Sequence, residues 1–106
     1  MPKFLIQASY TAEGTKGLLK EGGSGRRAAV DHVVGELGGT VEVMYFAFGD
    51  DDLVCIVDFP DPVSMAAVSL TVKASGAVRT RATPLLTVGE VDEAARRQVA
   101  FRPPGK

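Results

Sequence analysis

Few side chains here have types and spacings suited to chemistry, and they fall into separate groups. The sequence has one histidine, His32, and one cysteine, Cys55. A nucleophile and its base must lie within hydrogen-bond reach, and nothing in the pattern brings these two together. At ~100° per residue His32 falls nearly opposite the apolar stripe Val30, Val33, Val34 and Leu37. It reads as a solvated helix residue. With no second histidine and no spaced cysteines, neither a metal nor a haem site is expected. Cys55 sits in an alternating apolar run and reads as a small buried hydrophobe.

Two further groups carry charge. Asp50-Asp51-Asp52 offers carboxylates of the kind that hold hard cations, but the spacing is not that of a calcium loop. The plainer reading is a charged turn that keeps a hairpin tip in water. Gly22-Gly23-Ser24-Gly25-Arg26-Arg27 joins a glycine loop, a helix start capped by Ser24, and two arginines. Free N–H groups and the helix dipole favour an anion there. The lysine and spacing of a nucleotide-phosphate loop are absent. Arg26 lies close to the inward stripe, where it can reach a cleft edge or pair with a carboxylate.

The remaining polar candidates belong to strands. Gln7, Ser9, Asp58, Arg79 and Arg81 share one sheet face, and Tyr10 ends the first strand. Two readings stand for them: a dimer interface with paired charges, or a ligand pocket in which arginine meets an anionic group. Gln7, Ser9, Tyr10, Arg26, Asp58, Arg79 and Arg81 are the candidate ligand-binding residues. No catalytic set and no cofactor emerges.

These residues must be positioned by alternating strands and helices. Residues 3–10 alternate as a strand, with Phe4, Ile6, Ala8 and Tyr10 on one face and Leu5, Gln7 and Ser9 on the other. Residues 11–23 hold four glycines and read mainly as a mobile connection, with room for a short helical turn around Ala12–Leu19. A helix is predicted from about Gly25 to Leu37, ended by Gly38-Gly39. Strands are predicted over Thr40–Phe48 and Leu53–Phe59, joined as a hairpin through Gly49-Asp50-Asp51-Asp52. Asp61 caps a second helix with Pro62 at its first position. Its core stripe is read as Val63, Ala66, Ala67, Leu70 and Ala74, with Met65, Val68 and Val72 left for a tail or another subunit. A fourth strand is predicted over Val78–Val88, at an edge because of Pro84. A short helix at 90–98 follows, then an extended tail over 99–106.

The order β-α-β-β-α-β gives an α+β, ferredoxin-like sandwich: a four-stranded antiparallel sheet with two helices on one face, in a single domain over residues 1–98. The first and third strands are then central. The uncovered face is expected to carry Leu5, Gln7, Ser9, Val54, Ile56, Asp58, Arg79, Arg81 and Thr83, with Glu42, Met44, Phe46 and Phe48 from strand two. Val41, Val43 and Tyr45 would face inward. So apolar a face calls for a partner, most simply a second copy.

Composition narrows the classes. A chain of 106 residues with 45% hydrophobic and 24% charged residues can bury one core without staples. A net charge of -1 gives no footprint for nucleic acid. The lone cysteine excludes an internal disulfide and fits a reducing compartment. Met1-Pro2-Lys3 leads straight into a strand, without a signal-peptide core, and no apolar run nears the ~18 residues of a membrane helix. The expectation is a cytoplasmic protein of bacterial style, with no membrane partner.

Several stretches stand out together: Ile6-Gln7-Ala8-Ser9-Tyr10-Thr11, the Gly22–Arg27 stretch, Gly38-Gly39 before an aromatic strand, Phe48-Gly49-Asp50-Asp51-Asp52-Leu53-Val54, Phe59-Pro60-Asp61, and Ala74-Ser75-Gly76-Ala77-Val78-Arg79-Thr80. On these the chain resembles the GYD-domain family of small bacterial proteins, over about residues 3–94. Gly49 and Asp52 match the motif that names the family, while Asp51 stands where a tyrosine is expected. The resemblance implies a ferredoxin-like protein of the dimeric α/β-barrel type and no established reaction. Two functions follow as expectations: an oligomeric module for assembly or for holding a small anionic or aromatic molecule, or a cofactor-free monooxygenase or isomerase of the dimeric α/β-barrel kind.

Overall fold

Strict alternation from Lys3 to Tyr10 makes β1 (Lys3–Tyr10) a strand with Phe4, Ile6 and Ala8 buried and their neighbours half-exposed. The computed structural model describes residues 2–106. After β1 come α1 (Ala12–Glu36), β2 (Thr40–Phe46), β3 (Leu53–Asp58), α2 (Pro62–Ala74), β4 (Val78–Leu85) and α3 (Val88–Arg96). The protein is α+β. Its four strands form one antiparallel sheet in the order β2-β3-β1-β4, so β1 and β3 are central and β4, with Pro84, is an edge. Both α1 and α2 pack on the same face. Val34 from α1 and Met65 and Val68 from α2 close over Phe4, Ile6, Cys55, Val57 and Phe59.

The glycine-rich stretch is helical, not a connection. Thr11 caps it by accepting a hydrogen bond from the Gly14 N–H, and Glu13 sits in the first turn where the dipole favours acid. Ser24 is inside the helical run and is not its cap. Only Gly22 breaks the geometry, with φ 73° and ψ 173°, so α1 is two helical pieces joined at a kink. Gly14 serves packing instead, since a Cβ there would run into the Ala77 carbonyl. The missing side chain permits close approach to the start of β4. The C-terminus of α1 ends as expected. Gly39 N–H donates to Val34 O and Gly38 N–H to Gly35 O, with Gly38 at φ 77°, a Schellman pair. Leu37 is the capping residue and stays 37% exposed, outside the core that was expected to take it.

In β2 the expected faces are exchanged beyond Glu42. Val41 pairs with Val57, but Val43 pairs with Ile56, leaving Glu42 as an extra residue. Such a bulge puts two successive side chains on one side and reverses the alternation after it. Met44 and Phe46 therefore face the helices, and Val43 and Tyr45 face out. Phe48 lies past the strand in the turn and is fully exposed.

The stripe on α2 is also the reverse of the one expected. Met65, Val68 and Val72 face the core, while Val63 and Leu70 are 76% and 71% exposed. The helix is apolar on two opposite sides, so periodicity alone could not tell which would be buried. β4 ends at Leu85 and α3 begins at Val88, both earlier than predicted. Thr87 and Glu90 form a capping box that fixes that start.

Candidate functional site

A cavity of about 380 Å³ lies between the sheet and the two helices that cover it. Each wall follows from the local pattern. The inward residues of β1 and β3, among them Ile6, Leu53 and Cys55, form the floor. Val30 and Val33 of α1 and Met65, Val68 and Val72 of α2 form the roof. The cavity persists because α1 and α2 lean on opposite ends of the sheet, α1 mainly on β2 and α2 on β4. Its volume falls in the range of small-molecule sites.

The polar groups in this apolar space are few. Tyr10, on β1, and Thr80, on β4, are diagonal neighbours on the helix-facing side, since Tyr10 pairs with Val78 and Ala8 with Thr80. Tyr10 Oη and Thr80 Oγ1 are both buried with no hydrogen-bond partner. Leaving a buried hydroxyl unpaired costs about 1–3 kcal/mol. Burial raises the Tyr10 pKa above its ordinary value, and the nearby Arg26 guanidinium offsets part of that. The phenol is thus a proton-bearing donor at neutral pH. Cys55, in the floor, is pushed up to about 11 by burial and stays a neutral thiol.

Arg26 stands at the mouth, just past the Gly22 kink that sets its direction. It pairs with Glu21 at 3.3 Å across that kink. Outside Arg26 the opening widens toward Glu13, Lys20 and Glu21.

The other candidate residues meet on the opposite face of the sheet. Arg81 donates to Asp51 at 2.8 Å and Gln7 donates to the same carboxylate oxygen at 3.2 Å. Ser9 Oγ donates to the Asp50 carbonyl at 3.3 Å. Asp58 pairs with Lys3 at 3.0 Å, and Lys3 also reaches Glu42 at 2.8 Å. These hydrogen bonds, the one to Glu42 first, raise the Lys3 pKa. Arg79 is exposed on the same side. The seven candidates therefore divide: Tyr10 and Arg26 border the cavity, and Gln7, Ser9, Asp58, Arg79 and Arg81 lie on the uncovered face.

Sequence reasoning missed Thr80, Asp51 and the bulge at Glu42. Thr80 was legible only as an inward strand residue. The sequence marks Asp51 only as a turn residue, yet its carboxylate ties the hairpin tip to β1 and β4. Asp52 does the rest of that pinning, accepting from the Tyr10 N–H at 2.8 Å while its own N–H donates to Ala8 O at 2.8 Å. Asp51 and Asp52 thus point to different partners. Among the described residues no three acidic, histidine or cysteine side chains converge as a metal site would need.

A family model described as GYD domain matches residues 4–95. The chain belongs to the GYD domain family. The match covers the sheet, α1, α2 and most of α3, and thus every wall of the cavity in this GYD domain. No curated protein and no solved structure matches the chain. Among the described residues of the GYD domain no helix is long and apolar enough to cross a membrane.

Proposed function

We propose that this GYD domain is an oligomeric small-molecule-binding module whose ligand occupies the cavity under α1 and α2. The observation that carries this reading is the pair of buried hydroxyls without a partner in the chain, Tyr10 Oη and Thr80 Oγ1, in a space lined mainly by apolar side chains. A bound molecule with oxygen or N–H groups facing Tyr10 and Thr80 would satisfy these hydroxyls and bury its apolar body against Val30, Val33 and Val72.

The charge balance favours an uncharged, aromatic or aliphatic ligand over an anion. Arg26 is the one charged residue lining the inner cavity, and Glu21 already answers it. An unpaired ionised group would be costly there. The strand order supports the ferredoxin-like reading, and the uncovered sheet face supports a two-fold dimer. With the bulge taken into account, that face offers Leu5, Val43, Tyr45, Val54 and Ile56 around the Asp51 and Lys3 networks. The free, buried Cys55 fits a cytoplasmic setting. The cofactor-free enzyme reading draws on one feature, the protonated Tyr10 phenol, which could give a proton to a bound substrate.

Matched probes test the binding. 2-Naphthol should raise the melting temperature of the protein, 2-naphthoate should raise it less, and Thr80→Val should remove most of the 2-naphthol effect. Equal shifts for the two probes would overturn the uncharged-ligand reading. Shifts unchanged by Thr80→Val and Tyr10→Phe would overturn the site itself.

A further inference from the structure

The last 21 residues, 86–106, are exposed throughout. The molecule measures 56 × 32 × 23 Å, with a radius of gyration of 16.9 Å. A compact chain of this length has about 13 Å. The excess lies in an arm formed by α3 and the tail. Local signals specify α3 well: the Thr87–Glu90 capping box at its start and the Arg97–Glu93 pair at 2.9 Å near its end. Yet it buries nothing. A helix of nine residues is marginal in water without packing. Val88, Val91 and Ala95, spaced i, i+3, i+7, make one apolar stripe on it, with Val88 82% and Val91 52% exposed.

An unpartnered stripe of matching kind exists elsewhere in the chain. Val63, Ala66, Ala67, Leu70 and Ala74 fall at i, i+3, i+4, i+7 and i+11 on α2, directly opposite the side that faces the core. Its alanines leave room for another helix to come close. Charges complement as well: Lys73 is the one charged residue of α2, Asp92 lies beside the α3 stripe, and among the described residues neither has an ion-pair partner.

We propose that the α3 arm of one copy docks on the outer stripe of α2 in a second copy, and that two copies exchange arms. Only Leu86 and Thr87 join β4 to α3, and Thr87 is held extended at φ −72° and ψ 163° by its capping box. Across that short link no residue of α3 is buried against its own protomer. A reciprocal exchange uses both arms and both stripes, and so buries twice the area of one contact, toward the ~1,200 Å² of stable interfaces. The uncovered sheet face suits the arm poorly, because the Asp51 and Lys3 networks cross it, whereas the α2 stripe has no charge within it.

Cross-linking of full-length chains decides the matter. A67C and V91C variants, one carrying a mass tag, are mixed and oxidised; Cys55 is buried and stays silent. The expected main product is a mixed disulfide between one A67C and one V91C chain. V91D should raise the concentration at which the assembly dissociates by about tenfold or more, leaving the circular dichroism of the core elements unchanged. The proposal is overturned if the mixed pair is no more abundant than like pairs. It is overturned equally if the double variant A67C/V91C closes a disulfide within one chain at monomer mass. Failure of the sheet-face dimer would not remove the mixed disulfide, so the two interfaces are tested separately.

Discussion

The Phe46 ring lies over Gly23, so near that a Cβ on Gly23 would come within 3.3 Å of it. This contact exists because the bulge at Glu42 turns Phe46 toward the helices. Its outward neighbour Tyr45 is 69% exposed. Adjacent aromatic residues thus serve different surfaces. Tyr45→Asp should weaken self-association, read as a lower sedimentation coefficient at low micromolar concentration, with the thermal unfolding of the protomer little changed. Phe46→Asp should instead loosen α1 and lower the melting temperature. If the two substitutions behave alike, the face assignment of β2 is wrong.

A second prediction concerns the turn after α1. Gly39 has no space for a side chain: a Cβ would sit 2.5 Å from the Asp58 carbonyl and 2.9 Å from both Phe59 and Val34. The first of these is backbone in a central strand and cannot yield cheaply. Gly39→Ala should destabilise the protein by roughly 1–3 kcal/mol, the usual cost of overpacking a core. Gly35→Ala has open space and should be neutral or slightly stabilising through helix propensity. Urea midpoints of the two variants make the comparison.

Much of this fold was legible because strong local signals agreed with it. Asp61-Pro62, Gly38-Gly39 and the alternation in β1 and β3 each predict the element that forms. The misses have physical causes. Two mutually consistent stripes on α2 leave no moment to orient it. A bulge shifts the period by one residue and has no marker in Thr40–Phe46. The glycines of residues 11–23 suggest a loop by composition, but Gly14 serves close packing and only Gly22 needs a positive φ. Of the site, Tyr10 and Arg26 could be named from position alone. Thr80 could not, because a hydroxyl becomes notable only once its surroundings are seen to lack a partner.

Cys55 gives a pH-dependent prediction. Its folded pKa is raised to about 11 by burial, whereas an unfolded thiol titrates near ~8.5. Between these values the unfolded chain has released its proton and the folded chain has not. Stability should therefore fall as pH rises from about 8.5 and level off beyond 11. Cys55→Ser should flatten that part of the profile. Thiol-specific reagents should modify the native protein slowly at pH 8, at a rate set by opening, and fast labelling without unfolding would contradict the burial of this side chain.

The unpaired hydroxyls predict an effect opposite in sign to most core substitutions. Valine has nearly the shape of threonine and suits an edge strand as well, so Thr80→Val keeps the packing of β4 and removes only the buried Oγ1. Within the chain that hydroxyl has no partner. Its removal should stabilise the protein, by about 1 kcal/mol at the low end of what an unsatisfied buried group costs. Tyr10→Phe should act in the same direction, because the Tyr10 hydroxyl is buried without a partner in the chain as well. With a ligand bound the sign should reverse, since both variants then lose a hydrogen bond that the native protein makes. Urea unfolding with and without 2-naphthol measures both signs on the same variants. A destabilised Thr80→Val without ligand would mean that ordered water already satisfies the hydroxyl, and no bound molecule would then be needed at that point.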